Sequence, residues 1–115
     1  MSFRWPVKDP DEQLDYSVDW SRFLVDATIS SVVWFVKSNT YSTKTTLAAG
    51  QTLTTASSSA VTDSIQNVSQ SQTSTVATIN IGGGTNNAEY TFFCRMVDST
   101  GSQAERSVKL RLKER

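Results

Sequence analysis

Residues 89–113 read EYTFFCRMVDSTGSQAERSVKLRLK. Tyr90, Phe92, Cys94 and Met96 share one phase of a two-residue repeat, the period of a strand that buries a single face. DSTGS, residues 98–102, interrupts the repeat as a hairpin connection, with Gly101 able to take a positive φ. Beyond it Val108, Leu110 and Leu112 alternate with Lys109, Arg111 and Lys113 over 106–113. The stretch therefore predicts two antiparallel strands closing the chain. The charged outer row guards the terminal strand against edge-to-edge pairing.

Working outward, TVATINI (75–81) alternates in the same way and is broken by GGGTNN (82–87), read as a flexible turn. Near the start, Leu14, Tyr16, Val18 and Trp20 alternate with Asp15, Ser17, Asp19 and Ser21, predicting a strand over 14–21. A one-residue slip would turn Asp15 and Asp19 inward, so this register is strongly specified. TISSVVWFVK (28–37) is dense in β-branched and aromatic residues on both faces. Trp34 suits a buried indole. Val33 and Phe35 point the other way, which implies cover on both sides or an interface. From about Ser38 to Thr78 the chain is rich in Ser and Thr, with the polar loops around 38–75. Leu47, Leu53, Val61, Ile65, Val68 and Val76 recur there, predicting short exposed strands and polar loops, most mobile over 56–72. A helical turn in AVTDSIQNV (60–68) is a minor alternative.

Together these elements predict an all-β protein, an immunoglobulin-like antiparallel β-sandwich of about seven strands. The expected core comprises Leu14, Tyr16, Val18, Trp20, Ile29, Trp34, Tyr90, Phe92, Cys94, Val108 and Leu110, with the Tyr90–Cys94 stretch as the penultimate strand facing Trp34 across it. Residues 1–10 read as an extended arm, because Pro6 and Pro10 favour extended backbone before them. Residues 11–115 form the sandwich. Phe3 and Trp5 would be costly to expose, so Trp5 either meets a partner or folds back on its own domain.

At 115 residues there is room for one domain. The formal net charge is zero, without the cationic excess that non-specific nucleic-acid binding exploits. Cys94 is the single cysteine, so no internal disulfide forms, in keeping with synthesis in a reducing cytoplasm. No apolar stretch is long enough for a membrane span, and the N-terminus has no signal-peptide core. Neither nucleic acid nor membrane is expected as a partner.

Chemistry is equally sparse. The absence of histidine excludes Ser-His-Asp and Cys-His constellations and imidazole metal sites. Cys94 reads as a small core residue. The acidic cluster Asp9, Asp11, Glu12, Asp15, Asp19 fails the calcium-loop pattern, because Leu14 stands where the sharp-turn glycine is needed. It reads as a solvated face. GGGTNN precedes a strand rather than a helix, so it lacks the anion-cradling context. Asn67-Val68-Ser69 matches a glycosylation sequon, which matters only on a secretory route. No enzyme, cofactor or metal is expected.

WPVKDPDEQLDYSVDWSRFL followed by TISSVVW resembles the start of a family of tailed-bacteriophage fibre–tail adaptor proteins. The resemblance rests on Lys8 to Glu12, Asp15-Tyr16, Asp19-Trp20 and Thr28-Ile29 with Trp34. Glu105-Arg106-Ser107 and the basic strand match the close. Asp26-Ala27-Thr28 replaces the family's Asp-Thr, and the Ser/Thr-rich middle is longer. The resemblance implies a virion component at the neck or tail, made in the host bacterial cytoplasm. It would join the tail or connector to fibres, in several symmetric copies among other virion proteins. Phe3, Trp5, Pro6 and Val7 of the arm are the expected contacts, with Asp11, Glu12 and Asp15 orienting its exit. The rival readings are capsid decoration and a carbohydrate- or receptor-binding module of a fibre. The carbohydrate reading calls for an exposed Tyr41 near Asn39 and Asn67.

Overall fold

The two-residue repeats form strands, and their apolar phases turn toward one another. The computed structural model describes residues 3–57 and 62–114. The side chain of Phe3 and the whole of Val61 lie outside the described residues. The strands are β1 (Phe3–Arg4), β2 (Leu14–Asp19), β3 (Ile29–Ser38), β4 (Thr45–Thr46), β5 (Gln66–Gln72), β6 (Val76–Gly82), β7 (Glu89–Asp98) and β8 (Gln103–Arg111). They form two sheets, ordered β1-β8-β7-β3-β4 and β2-β6-β5. All seven strands from β2 to β8 pair antiparallel, while β1 adds to β8 in parallel.

The inner faces meet in one apolar core. Tyr16, Val18 and Trp20 from β2 and its exit, with Ala77, Ile79 and Ile81 from β6, oppose Trp34, Val36, Tyr90, Phe92, Cys94, Met96, Val108 and Leu110. Leu14 is partly buried against this cluster. Ile29 is buried although its parity is opposite to that of Trp34, because the β3–β7 register shifts between Ile29 and Ser31. A bulge of this kind inserts one residue and reverses the phase of the strand beyond it.

Three expectations change. Trp34 does not face the penultimate strand across the core. It lies in the same sheet, directly opposite Cys94 in the β3–β7 ladder, because both strands belong to the larger sheet. Secondly, a helical turn exists, but earlier than 60–68. It is α1 (Leu53–Ala56), capped by Thr52 and Thr55, which reciprocally satisfy each other's backbone N–H groups. Thirdly, the Ser/Thr-rich middle is tied into the core. Leu47, Leu53 and Ile65 are fully buried, and Leu53 N donates to Ile65 O at 2.9 Å. Three large side chains suffice to seat a segment that is otherwise polar.

Candidate functional site: the docked arm and the outer sheet face

The arm continues along β8 past β1. Trp5 N donates to Lys109 O (2.9 Å), Lys8 N to Arg111 O (3.1 Å), and Lys113 N to Lys8 O (2.9 Å). Trp5 enters the seam between the sheets, stacked on Tyr16 with centroids 4.8 Å apart. It also lies 5.7 Å from the ring of Phe92 and 6.0 Å from that of Trp34. Its indole N–H donates to Ser17 O at 3.2 Å. At 9% exposure, Trp5 is placed in its own core rather than offered outward. Pro6 and Val7 are exposed, Val7 at 39%.

The Lys8–Glu12 stretch forms a self-bonded turn. Asp9 O accepts from Glu12 N at 3.0 Å. The Asp9 carboxylate accepts from Asp11 N at 2.8 Å, and the Glu12 carboxylate from Asp9 N at 2.9 Å. Lys8 is wholly buried and donates to the carbonyls of Asp9 (2.8 Å) and Gly83 (2.7 Å). Burial pulls its pKa below the ordinary lysine value, against the raising influence of Glu12, Asp9 and Asp11. Asp11 and Asp15 are exposed and Glu12 is half-buried. Asp15 accepts from Asn80 Nδ2 at 2.8 Å on the outer face of the smaller sheet.

The triple glycine is a close crossing rather than a loose turn. Gly83 has φ +66°, and a Cβ there would lie 2.2 Å from Ser64 O. Gly84 has φ +107°, and its Cβ would meet Leu112 at 2.9 Å. Nearby, the buried hydroxyl of Tyr90 donates to the Asp63 carboxylate (2.8 and 2.9 Å) and accepts from Thr85 N (2.9 Å). Burial raises its pKa well above the ordinary phenol value. This pair joins the turn to the middle of the Ser/Thr-rich segment.

Beside the arm runs a groove of about 250 Å³, lined by Arg4, Trp5, Ser17, Val18, Asp19, Arg106 and Val108. Arg106 stacks over Trp20 at 4.7 Å and donates to Asp19 O at 3.2 Å. Among the described residues no strand pairs with the outer edge of β2.

The second surface is the outer face of the larger sheet. The β3–β7 register sets Phe35 opposite Phe93 and Val33 opposite Arg95. Lys44 lies 4.9 and 4.6 Å from the two phenyl rings, and Arg95 lies 4.5 Å from Phe35. Both cations pair with Glu105, Arg95 at 3.0 Å. Partial burial works to raise the Glu105 pKa, but the hydrogen bonds from Lys44 and Arg95 hold it below the usual carboxylate value. Val33 and Phe35 mark this face in the sequence. Phe93, Lys44 and Arg95 escape a reading centred on the apolar phase, although Thr91, Phe93 and Arg95 occupy the outer phase of β7 and are readable from it.

The carbohydrate arrangement does not form. Asn67 is fully buried and donates to Leu47 O (3.0 Å) and Gln70 Oε1 (2.9 Å), and Tyr41 is half-buried against the core. Cys94 is buried mid-strand, and burial pushes its thiol up to about 11. That is the reverse of a reactive thiolate.

A family model described as podophage GP4 fiber-tail adaptor protein gp77 matches two overlapping segments, residues 8–46 and 39–111. No curated protein matches the chain.

Proposed function

Because the chain belongs to the podophage fiber-tail adaptor family, we propose that this phage tail adaptor is a non-enzymatic virion component at the neck or upper tail. In this reading it joins the tail or connector to fibres. The match running from the Lys8 turn to the end of β8 is the observation that carries the reading. It takes in the segment that docks the arm and every strand of the sandwich after β1.

The strand order supports reading the domain as immunoglobulin-like, since β2-β6-β5 against β8-β7-β3 follows the two-sheet partition of such domains. Residues 1–10 then serve as an arm laid along β8, and residues 11–115 as the sandwich. Pro6 and Val7, with Asp11, Glu12 and Asp15 beside them, form the proposed partner contact of the arm. The buried Trp5 and Lys8 hold that contact in place. Synthesis in the host cytoplasm and several copies per particle complete the proposal. Repetition on a symmetric tube would multiply weak single contacts.

Immunogold electron microscopy of the parent virions tests the location. Label at the neck or upper tail is the expected result. Label scattered over the capsid would favour decoration, and label confined to fibre tips would favour receptor binding.

A further inference from the structure

The chain is neutral overall, yet one of its faces is not. The outer face of the larger sheet carries Arg4, Lys37, Lys44, Arg95, Lys109 and Arg111, with Glu89 and Glu105 among them. Each carboxylate is shared by two cations. Glu105 takes Lys44 and Arg95 (3.0 Å), and Glu89 takes Arg4 (3.5 Å) and Lys109 (3.9 Å). Among the described residues, Lys37 and Arg111 form no ion pair. The strand registers place Arg4, Lys109, Thr91 and Lys37 in one row across β1, β8, β7 and β3. At the usual strand spacing that row is about 14 Å long. Arg111 stands two residues beyond Lys109 on the same strand, opposite Glu89. Like charges held this close repel one another, and the two shared carboxylates do not balance them.

We propose that this row, with Arg111, docks an acidic surface of a different virion protein. The inference rests on the adaptor reading and supplies the chemistry of one partner. Charge complementarity argues for the occupant. Carboxylates laid along the row meet cations that the domain leaves unbalanced, and such pairing steers encounter and fixes register. The neighbouring row argues for protein over nucleic acid. There Phe35 and Phe93 stand side by side, but Lys44 lies over both rings and Arg95 over Phe35. A single-stranded nucleic acid binds by stacking its bases on open rings, and these rings are covered. Val33, opposite Arg95 and 40% exposed, adds an apolar contact that a protein surface can bury and a phosphate backbone cannot.

The test applies two reactions, on separate samples, to the purified full chain and to intact parent virions, both read by mass spectrometry. An acetylating reagent footprints the lysines, and a zero-length carbodiimide joins amines to carboxylates in contact with them. Lys37 and Lys109 should be acetylated in the free chain and lose most of that labelling in virions. The carbodiimide should join one or both of them to an Asp or Glu of another virion protein. Equal labelling in the two samples, with the chain present in the particles, would overturn the inference and leave the adaptor reading standing. No cross-link, or cross-links only to carboxylates of this chain's own sequence, would also overturn it. So would protection that vanishes when the particles are emptied of DNA and treated with nuclease, which would assign the face to nucleic acid. A chain missing from the virions would overturn the adaptor reading and this inference together.

Discussion

The buried ammonium of Lys8 donates to the carbonyl oxygen of Gly83 at 2.7 Å, fastening the arm to the glycine turn on the far side of the chain. Lys8→Met keeps the aliphatic stem and removes the charged donor. Two carbonyls then lose their partner, and we expect a loss of about 2 kcal/mol in urea unfolding. Gly83→Ala should be worse than ~2 kcal/mol, because its Cβ meets backbone at a left-handed φ. Unchanged unfolding midpoints for both variants would refute the anchoring role.

Trp5 and Val7 separate packing from docking. Trp5→Ala removes a ring held between Tyr16, Trp34 and Phe92, and it should cost about 3–5 kcal/mol. Val7→Asp should leave thermal stability within about 0.5 kcal/mol and reduce incorporation into virions, measured by immunoblot of purified particles. Normal incorporation of the Val7 variant would remove the exposed arm from the proposed contact.

Tyr90→Phe removes the hydroxyl that donates to Asp63 and accepts from Thr85. A buried carboxylate loses a partner, so a destabilisation of about 2–3 kcal/mol is expected by denaturant titration. Hydrogen exchange should accelerate at the Thr85 amide in the same variant. A protected Thr85 amide would mean that the turn is held by other contacts.

Cys94 introduces an alkaline dependence. Its folded-state thiol is raised to about 11, so above its ordinary value the unfolded chain releases a proton that the folded chain keeps. The contribution is fully present below about pH 8.5 and lost as pH rises toward 11. Its size is on the order of 2–3 kcal/mol. Unfolding midpoints between pH 8 and 11 should fall less steeply for Cys94→Ala than for the parent chain. Equal slopes would show that the thiol does not contribute.

Alternation along a strand is a local property of the backbone, since successive side chains leave on opposite faces. For that reason the all-β class, the inward phase of Tyr16, Val18 and Trp20, and the closing hairpin are legible from the residues alone. The signature Lys8–Glu12 is legible as a motif too, but not as a turn around a buried lysine. Nothing in the local sequence says that Lys8 will meet Gly83, or that Trp5 will fill the seam between sheets. Likewise, Trp34 and Cys94 are both readable as core, yet only strand pairing makes them neighbours in one sheet. The bulge after Ile29 reverses parity through a ladder with β7 that no window on β3 contains. The cationic face has the same origin, because Phe35, Phe93, Lys44 and Arg95 come from separate segments that long-range register brings together. Periodicity determined what each segment buries, and the tertiary fold alone decided which segments meet.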